Sequence, residues 1–218
     1  MRIGVYTHPL HLNYGGILQA YALQRVLQDM GHDAVYIEWC PYNFQLPSIK
    51  TYFMRFLWKL KYLGREEVDV IFDYNFKYNQ AYNKINKFTK QNITILPIKD
   101  LHEDDVAVLI VGSDQIWRPV YIENIEDAYL GFAKDWDVRR IAYAASFGVD
   151  DWSEYTEEQT NICRVLAQKF DAVSVREDSG VDLCRNYLGV DAQHVLDPTM
   201  LVDVKHYICH INNCKKRY

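Results

Sequence analysis

Polar side chains directly follow a short apolar run in the middle of the chain. The run 108–111 reads Val-Leu-Ile-Val, which is typical of a fully buried parallel strand. Soon after it come Ser113, Asp114, Gln115 and Trp117. Open α/β sheets bind ligands just outside the carboxyl ends of their strands. Since sugar hydroxyls need hydrogen-bonding side chains and sugar rings stack on aromatic rings, the segment predicts a site for a sugar or another polar ligand. The alternative is a turn in which Ser113 and Asp114 cap the next element.

A second segment of this kind follows the first apolar run, 3–6. Asn13, Gly15 and Gly16 open a helical pattern there. Two glycines let a backbone approach a ligand closely, and the free N–H groups of a first helical turn attract anions. The G-x-G-x-x-G spacing is absent, so NAD has little support. The alternative is a tight strand-to-helix turn capped by Asn13.

Two charged residues stand at the ends of later predicted strands. Arg176 is the last residue of a short predicted strand, and a guanidinium there can bind a carboxylate or a phosphate through two hydrogen bonds. The alternative is a structural ion pair with Glu177 or Asp178. Asp197 precedes Pro198, which holds it in an extended conformation at a strand exit. A rigid turn without chemistry is the alternative for Asp197.

The carboxyl-terminal segment contains four residues of metal-ligating type. Structural zinc sites usually take their ligands from two separated pairs, whereas these four are crowded into one short predicted helix. We therefore expect no metal. The residues are His206, Cys209, His210 and Cys214.

The segment 51–63 has an apolar stripe bordered by basic residues. The stripe consists of Phe53, Phe56, Leu57, Leu60 and Leu63. It favours a helix that covers the sheet or meets another domain. The alternative is peripheral contact with an anionic membrane surface.

Charge and cysteine usage narrow the class of protein. The 218-residue chain has 24 Lys and Arg against 29 Asp and Glu, a formal net charge of −5. Nucleic-acid binding needs a basic surface, so we expect no nucleic-acid partner. The first residues have no apolar stretch of signal-peptide length, and the five cysteines are scattered. These features predict a cytoplasmic protein with free thiols.

Apolar runs and helical repeats alternate along the chain. Strands are predicted at 3–6, 33–39, 93–96, 106–111, 140–147, 171–176 and 194–196, and helices at 15–30, 51–63, 68–88, 153–170 and 178–188. Such alternation predicts an α/β fold, a parallel sheet with helices on both faces. The polar residues above would then lie at its carboxyl edge.

Five short segments occur in order along the chain. They are 13–24 (Asn-Tyr-Gly-Gly-Ile-Leu-Gln-Ala-Tyr-Ala-Leu-Gln), 112–117 (Gly-Ser-Asp-Gln-Ile-Trp), 143–148 (Tyr-Ala-Ala-Ser-Phe-Gly), 174–177 (Ser-Val-Arg-Glu) and 196–199 (Leu-Asp-Pro-Thr). Together they resemble the polysaccharide pyruvyl transferase family. The resemblance implies a Rossmann-like sheet similar to the N-terminal domain of a B-type glycosyltransferase. It also implies transfer of a pyruvyl group from phosphoenolpyruvate, without a cofactor, to two hydroxyls of a sugar or lipid-linked saccharide.

The implied reaction needs an acid, a base and a cation. C3 of phosphoenolpyruvate gains a proton, the attacking sugar hydroxyl loses one, and the donor's carboxylate and phosphate need a positive partner. We expect Asp114 to be the base and Arg176 to bind the donor's anionic groups, with His8 and His11 as weaker candidates. The other expected substrate contacts are Asn13, Gly15, Gly16, Ser113, Gln115, Trp117 and Asp197.

The resemblance also suggests a domain organisation. Family members are longer, and the segment 197–201 normally leads into a second domain. We expect residues 1–200 to form the Rossmann-like domain and 201–218 to begin a truncated second domain or linker helix. The isolated chain would then have little activity and would need a separate C-terminal domain. The alternatives are a non-catalytic module that binds a sugar or a partner, and half of a nucleotide-sugar glycosyltransferase.

Overall fold

Seven parallel strands form one sheet in the computed structural model, which describes residues 1–10, 13–39 and 83–208. The strands are β1 Arg2–Tyr6, β2 Asp33–Glu38, β3 Ile95–Pro97, β4 Val108–Val111, β5 Arg139–Ala145, β6 Ala172–Val175 and β7 Gln193–His194. Their order in the sheet is β3-β2-β1-β4-β5-β6-β7. The predicted α/β class with a Rossmann-like parallel sheet is confirmed.

Helices connect these strands and cover the sheet. They are α1 Tyr14–Asp29, α2 over residues 83–92, α3 Glu157–Ala167 and α4 Asp178–Leu183, which continues as a π-helix over Cys184–Leu188. Short 3₁₀ turns lie at Ile98–Asp100, Glu103–Asp105, Pro119–Tyr121, Ile125–Tyr129, Gly131–Ala133 and Pro198–Met200. Residues 204–208 are also helical. Among the described residues, every helix is too short or too polar to cross a bilayer.

The strand order reverses at β1. This strand pairs with β2 on one side and with β4 on the other. The chain leaves β1 through α1 towards β2 and later returns to β4 on the opposite side. In open parallel sheets such a reversal leaves a crevice at the carboxyl ends of the two central strands, because their following loops diverge. The loops after β1 and β4 border that crevice.

The sheet is central to the hydrophobic core. All four residues of β4 are buried, as the apolar run predicts. Ile3, Val5 and Val108 pack with Leu23 and other residues of α1 on one face. A larger cluster around Leu109 and residues 116–152 covers the other face. Burial on both faces explains why the central strands read as continuous apolar runs.

Several predicted boundaries differ from the structure. The helix expected from Ser153 begins only at Glu157, because Thr156 and Gln159 form a reciprocal capping box that starts the helix there. β5 ends at Ala145 instead of Phe147, after an irregularity in its pairing with β6 between Ala142 and Ala145. The predicted helix 51–63 and most of 68–88 lie outside the described residues. The division into domains at residue 200 stays a prediction.

Candidate functional site

A cleft of about 300 Å³ opens at the crevice between β1 and β4. It is lined by His8, Asn13, Asp114, Gln115 and Tyr121. The first two residues belong to the loop after β1, and the other three follow β4. We call this hollow the switch-point cleft. The structure therefore brings the two polar segments singled out in the sequence to one place.

Asp114 lies against the first turn of α1. Its Oδ2 accepts a hydrogen bond from Nδ2 of Asn13 at 3.4 Å, and its Oδ1 accepts one from the backbone N–H of Gln115 at 2.9 Å. Asn13 also caps α1, since its Oδ1 accepts the N–H of Gly16 at 3.2 Å. A Cβ at position 16 would lie 2.8 Å from Oδ2 of Asp114. Gly16 thus lets the carboxylate approach the helix.

The chain turns into the cleft at Gly112. Its φ is +123°, and a Cβ there would lie 2.1 Å from the carbonyl oxygen of Tyr143 on β5. Ser113 comes next and is only 2% exposed; its Oγ has no hydrogen-bond partner among the described residues. Ser113 therefore offers almost no surface to a ligand, and its expected contact with the substrate stays a prediction. Asp114 and Gln115 are the residues of this segment that line the cleft.

Trp117 lies in the hydrophobic core, and its expected contact with the substrate stays a prediction. Its side chain is fully buried, stacks on Tyr129 with ring centroids 4.9 Å apart, and donates its indole N–H to the carbonyl of Ala128 at 3.0 Å. A tryptophan after a strand can serve a ligand or the core. Here the large apolar ring is removed from water and its one polar atom is satisfied, so the core position is favourable.

Tyr121 is the aromatic residue that lines the switch-point cleft, and sequence reasoning missed it. It is 54% exposed. Its hydroxyl accepts a hydrogen bond from Nη1 of Arg118 at 3.1 Å, and Cζ of Arg118 lies 4.9 Å from the ring centroid. Arg118 in turn binds Glu154 through Nε and Nη2 at 2.7–3.1 Å. These contacts hold an aromatic surface at the cleft; nothing in the local sequence distinguishes it from other tyrosines.

Arg176 projects from the carboxyl end of β6 into a group of carboxylates. Its Nε donates to Oε1 of Glu177 at 3.0 Å, and its Nη1 donates to Oδ2 of Asp197 at 3.3 Å. The ion pair with Glu177, which was the alternative interpretation of Arg176, is present, whereas Asp178 accepts from the backbone of Ser179. Nη2 of Arg176 contacts no hydrogen-bond partner within the described part of the chain. The guanidinium is therefore held by two contacts and retains donors for an anion.

Asp197 accepts hydrogen bonds from three other groups. Its Oδ1 accepts the backbone N–H and the hydroxyl of Thr199 at 2.9 and 2.6 Å, and its Oδ2 accepts Nε2 of Gln19 on α1. Burial raises the pKa of Asp197, but the donors from Thr199, Gln19 and Arg176 outweigh it and hold the pKa below its ordinary value. Asp197 is therefore held ionised by its neighbours. We call Arg176, Glu177, Asp197, Gln19 and Thr199 the arginine cluster.

A second hollow of about 350 Å³ lies beside this cluster. Gly15, Gln19, Asp197 and Thr199 line it together with Leu18 and Tyr207. Gly15 thus faces this groove, while Asn13 at the helix cap lines the switch-point cleft. The first turns of α1 stand between the two hollows and contribute side chains to both.

Metal ligation finds no support in the described residues. No group of three or more His, Cys, Asp or Glu side chains in 1–10, 13–39 and 83–208 could hold a metal ion. Cys209, His210 and Cys214 lie outside the described residues, so the expectation that the tail binds no metal stays a prediction. His8 lines the switch-point cleft, and His11 lies outside the described residues.

Comparison with known protein families identifies a family for this chain. The family model described as polysaccharide pyruvyl transferase matches residues 13–218. No curated protein matches the chain. The matched range contains the cap of α1, the segment after β4, the arginine cluster and all the strands except β1.

Proposed function

The chain belongs to the polysaccharide pyruvyl transferase family, and from this premise we propose that it transfers a pyruvyl group from phosphoenolpyruvate to two hydroxyls of a sugar. The observation that carries the proposal is the position of Asp114 and Arg176. Both stand at the carboxyl edge of one parallel sheet. Asn13, which caps α1, contacts Asp114, and Gln19 of α1 contacts Asp197 beside Arg176. A base and an anion-binding cation are the groups that this reaction needs.

The reaction forms a ketal and releases phosphate. C3 of phosphoenolpyruvate takes up a proton, positive charge develops at C2, and the first hydroxyl adds there. The C2–O bond to phosphate then breaks, and the second hydroxyl adds to C2. Of the two hydroxyl protons, one balances the proton taken up at C3 and the other leaves with phosphate. The pyruvyl C2 thus becomes a ketal carbon that bears a methyl and a carboxylate group.

In this proposal the switch-point cleft holds the acceptor. Asp114 Oδ2, whose contact with Asn13 is long at 3.4 Å, removes the proton from an attacking hydroxyl. Asn13 and Gln115 bind other hydroxyls, and the exposed ring of Tyr121 packs against the face of the sugar. The acceptor would be a sugar or lipid-linked saccharide for a cell-surface polysaccharide, and peripheral membrane contact would bring it within reach.

Arg176 would bind the donor. A guanidinium offers paired N–H donors to a carboxylate or phosphate, and such charge-assisted bonds become stronger where water is excluded. We propose that a second domain, of the kind that the resemblance implies, covers this edge and supplies the remaining cations and the acid for C3. No cofactor takes part.

Phosphate release from phosphoenolpyruvate in the presence of a hexose-containing acceptor tests the proposal. With the proposed second domain present, we expect release that depends on the acceptor, with a pyruvyl ketal detected in the product by mass spectrometry; the isolated chain should release little phosphate. A parallel titration with a nucleotide sugar tests the glycosyltransferase alternative. The proposal would be contradicted if the chain, assayed with the second domain, turned over the nucleotide sugar and formed no ketal.

A further inference from the structure

The contacts of Asp197 and Arg176 are unequal in length. Asp197 accepts two short hydrogen bonds from Thr199, at 2.6 and 2.9 Å, and one from Nε2 of Gln19. Its contact with Nη1 of Arg176 is longer, at 3.3 Å. Neutral donors therefore occupy most of the acceptor capacity of this carboxylate.

This distribution matters for an arginine that must bind an anion. A carboxylate with free lone pairs would close onto the guanidinium and compete with the ligand for its N–H groups. Thr199 donates to one carboxylate oxygen of Asp197 and Gln19 donates to the other, and together they hold the carboxylate in place. In this position Asp197 orients Arg176 but engages only one of its nitrogens. Glu177 fixes the guanidinium from its Nε side at 3.0 Å.

Gln19 comes from a rigid element. It lies on α1 five positions after Tyr14, the first residue of the helix, and its side chain is partly buried. The cap residue of the same helix, Asn13, contacts Asp114. Sites supported from helices keep their geometry better than sites supported from loops. The same helix thus supports Asp114 in the cleft proposed for the sugar and Arg176 at the site proposed for phosphoenolpyruvate.

We propose that Gln19 is a positioning residue which, through Asp197, keeps the Arg176 guanidinium open towards an anionic donor. The inference rests on the proposed function, since Arg176 is taken to bind the carboxylate or phosphate of phosphoenolpyruvate. Gln19 itself touches no reacting atom in this scheme. Its removal lets Asp197 turn fully onto Arg176 and compete with the donor.

The first test is the steady-state kinetics of the chain, assayed together with the second domain that we propose. In Gln19→Ala we expect the KM for phosphoenolpyruvate to rise about tenfold while kcat stays within about threefold, because the lost interaction affects donor binding more than the chemical step. Gln28→Ala is the matched control, since Gln28 is an exposed residue on the same helix. An unchanged KM in a folded Gln19→Ala variant would overturn the inference.

A charged variant makes the test depend on pH. Gln19→Glu sets two carboxylates against each other, and they can stay in contact only while they share a proton. Among the described residues, the other titratable groups around Asp197 are Arg176, which contacts it, Glu177, which contacts Arg176, and Tyr143 and Tyr207, whose hydroxyls interact with it electrostatically.

We expect the rise in KM of Gln19→Glu to be greatest near pH 8 and to shrink towards pH 5.5. Gln28→Glu, which carries the same change of charge on the exposed side, should follow the wild-type profile. If Gln19→Glu raises the KM for phosphoenolpyruvate by the same factor at all pH values, the role of Gln19 is merely structural and the inference is contradicted.

NMR of the arginine side chain separates this inference from the proposed function. The Nε–H signal of Arg176, assigned through Arg176→Lys, should shift in Gln19→Ala and stay in place in Gln28→Ala. If the wild-type protein turns over no phosphoenolpyruvate, the proposed function fails while this signal still reports on the positioning. If the signal does not move in Gln19→Ala, the positioning itself is excluded.

Discussion

Two arginines on neighbouring strands stand at opposite edges of the sheet and have different surroundings. Arg140, at the amino end of β5, is 9% exposed and donates to the backbone carbonyls of Ala133, Trp136 and Val138 at 2.6–2.8 Å. Arg176, at the carboxyl end of β6, has a side chain that is 23% exposed and binds carboxylates. Arg140 is enclosed by neutral backbone acceptors of one loop, whereas Arg176 is partly exposed and its Nη2 has no hydrogen-bond partner among the described residues.

The difference shows that the partners of a charged residue indicate its role better than its type does. Carbonyl oxygens from one loop accept hydrogen bonds from both terminal nitrogens of Arg140 and join the segment 133–138 to the sheet, so loss of this side chain should mainly affect folding. The carboxylates around Arg176 are themselves held by neutral donors, which leaves the guanidinium for a ligand. The amino end of β5 thus carries a structural arginine, whereas the carboxyl end of β6 carries the arginine that we propose to bind the donor.

The largest effect should follow from removing Arg176. We expect Arg176→Ala to lower acceptor-dependent phosphate release about 10³-fold, because the developing charge loses its cation, while the thermal unfolding midpoint changes little. Arg176→Lys should retain only a small part of the phosphate release, since an ammonium group cannot reproduce the two parallel hydrogen bonds of a guanidinium. Arg185→Ala, at a position 60% exposed, is the control. Near-normal activity of Arg176→Ala would remove Arg176 from the donor site.

The opposite outcome is expected for Arg140. Arg140→Ala leaves three carbonyls without their donor, and we expect a loss of about 3 kcal/mol in the free energy of unfolding. Activity per folded molecule should stay close to that of the wild type. Urea denaturation measures the loss, with exposed Arg139 as the site of the control variant Arg139→Ala. The comparison between the two edges would fail if Arg140→Ala were as stable as the control.

The same contrast applies to the aromatic residues after β4. Tyr121→Ala should raise the KM for the acceptor about tenfold with little change in stability, because its ring is exposed at the cleft. Tyr121→Phe should retain most of the affinity. Trp117→Phe should instead lower the unfolding midpoint and leave the acceptor KM unchanged. A reversed result, with acceptor binding sensitive to Trp117 only, would contradict this assignment of Tyr121 and support the sequence-based prediction for Trp117.

The smallest expected effect concerns acid stability. The pKa of Asp197 is held below its ordinary value, so the ionised form stabilises the fold above about pH 4, and this contribution is lost as the pH falls through the lowered pKa. In Asp197→Asn we expect a loss of about 1 kcal/mol or less at pH 7 that disappears in acid. Urea unfolding between pH 3 and pH 7 measures it. If the loss in the free energy of unfolding stayed constant over this pH range, a lowered pKa for Asp197 would be contradicted.

The sequence by itself determined the fold class and the edge on which the polar residues stand. The run 108–111 is apolar throughout because both faces of β4 are covered, and the polar residues come where such runs end. In a parallel sheet all carboxyl ends meet at one edge, so Asp114, Arg176 and Asp197 share that edge once the strands are recognised. The capped start of α1 at Asn13 is equally local, since it needs only the next few residues.

Only the tertiary structure decided which of these residues meet. That β1 lies beside β4, which creates the switch-point cleft, depends on strand order, and periodicity carries no information about order. Whether Trp117 or Tyr121 faces the cleft depends on the course of the loop after β4 and on which ring the core can bury. Gln19 and Asp197 are 178 positions apart in the chain, and packing of the segment after β7 against α1 brings them together. Local patterns specify elements and faces, whereas contacts between distant elements are selected by the packing of the whole sheet.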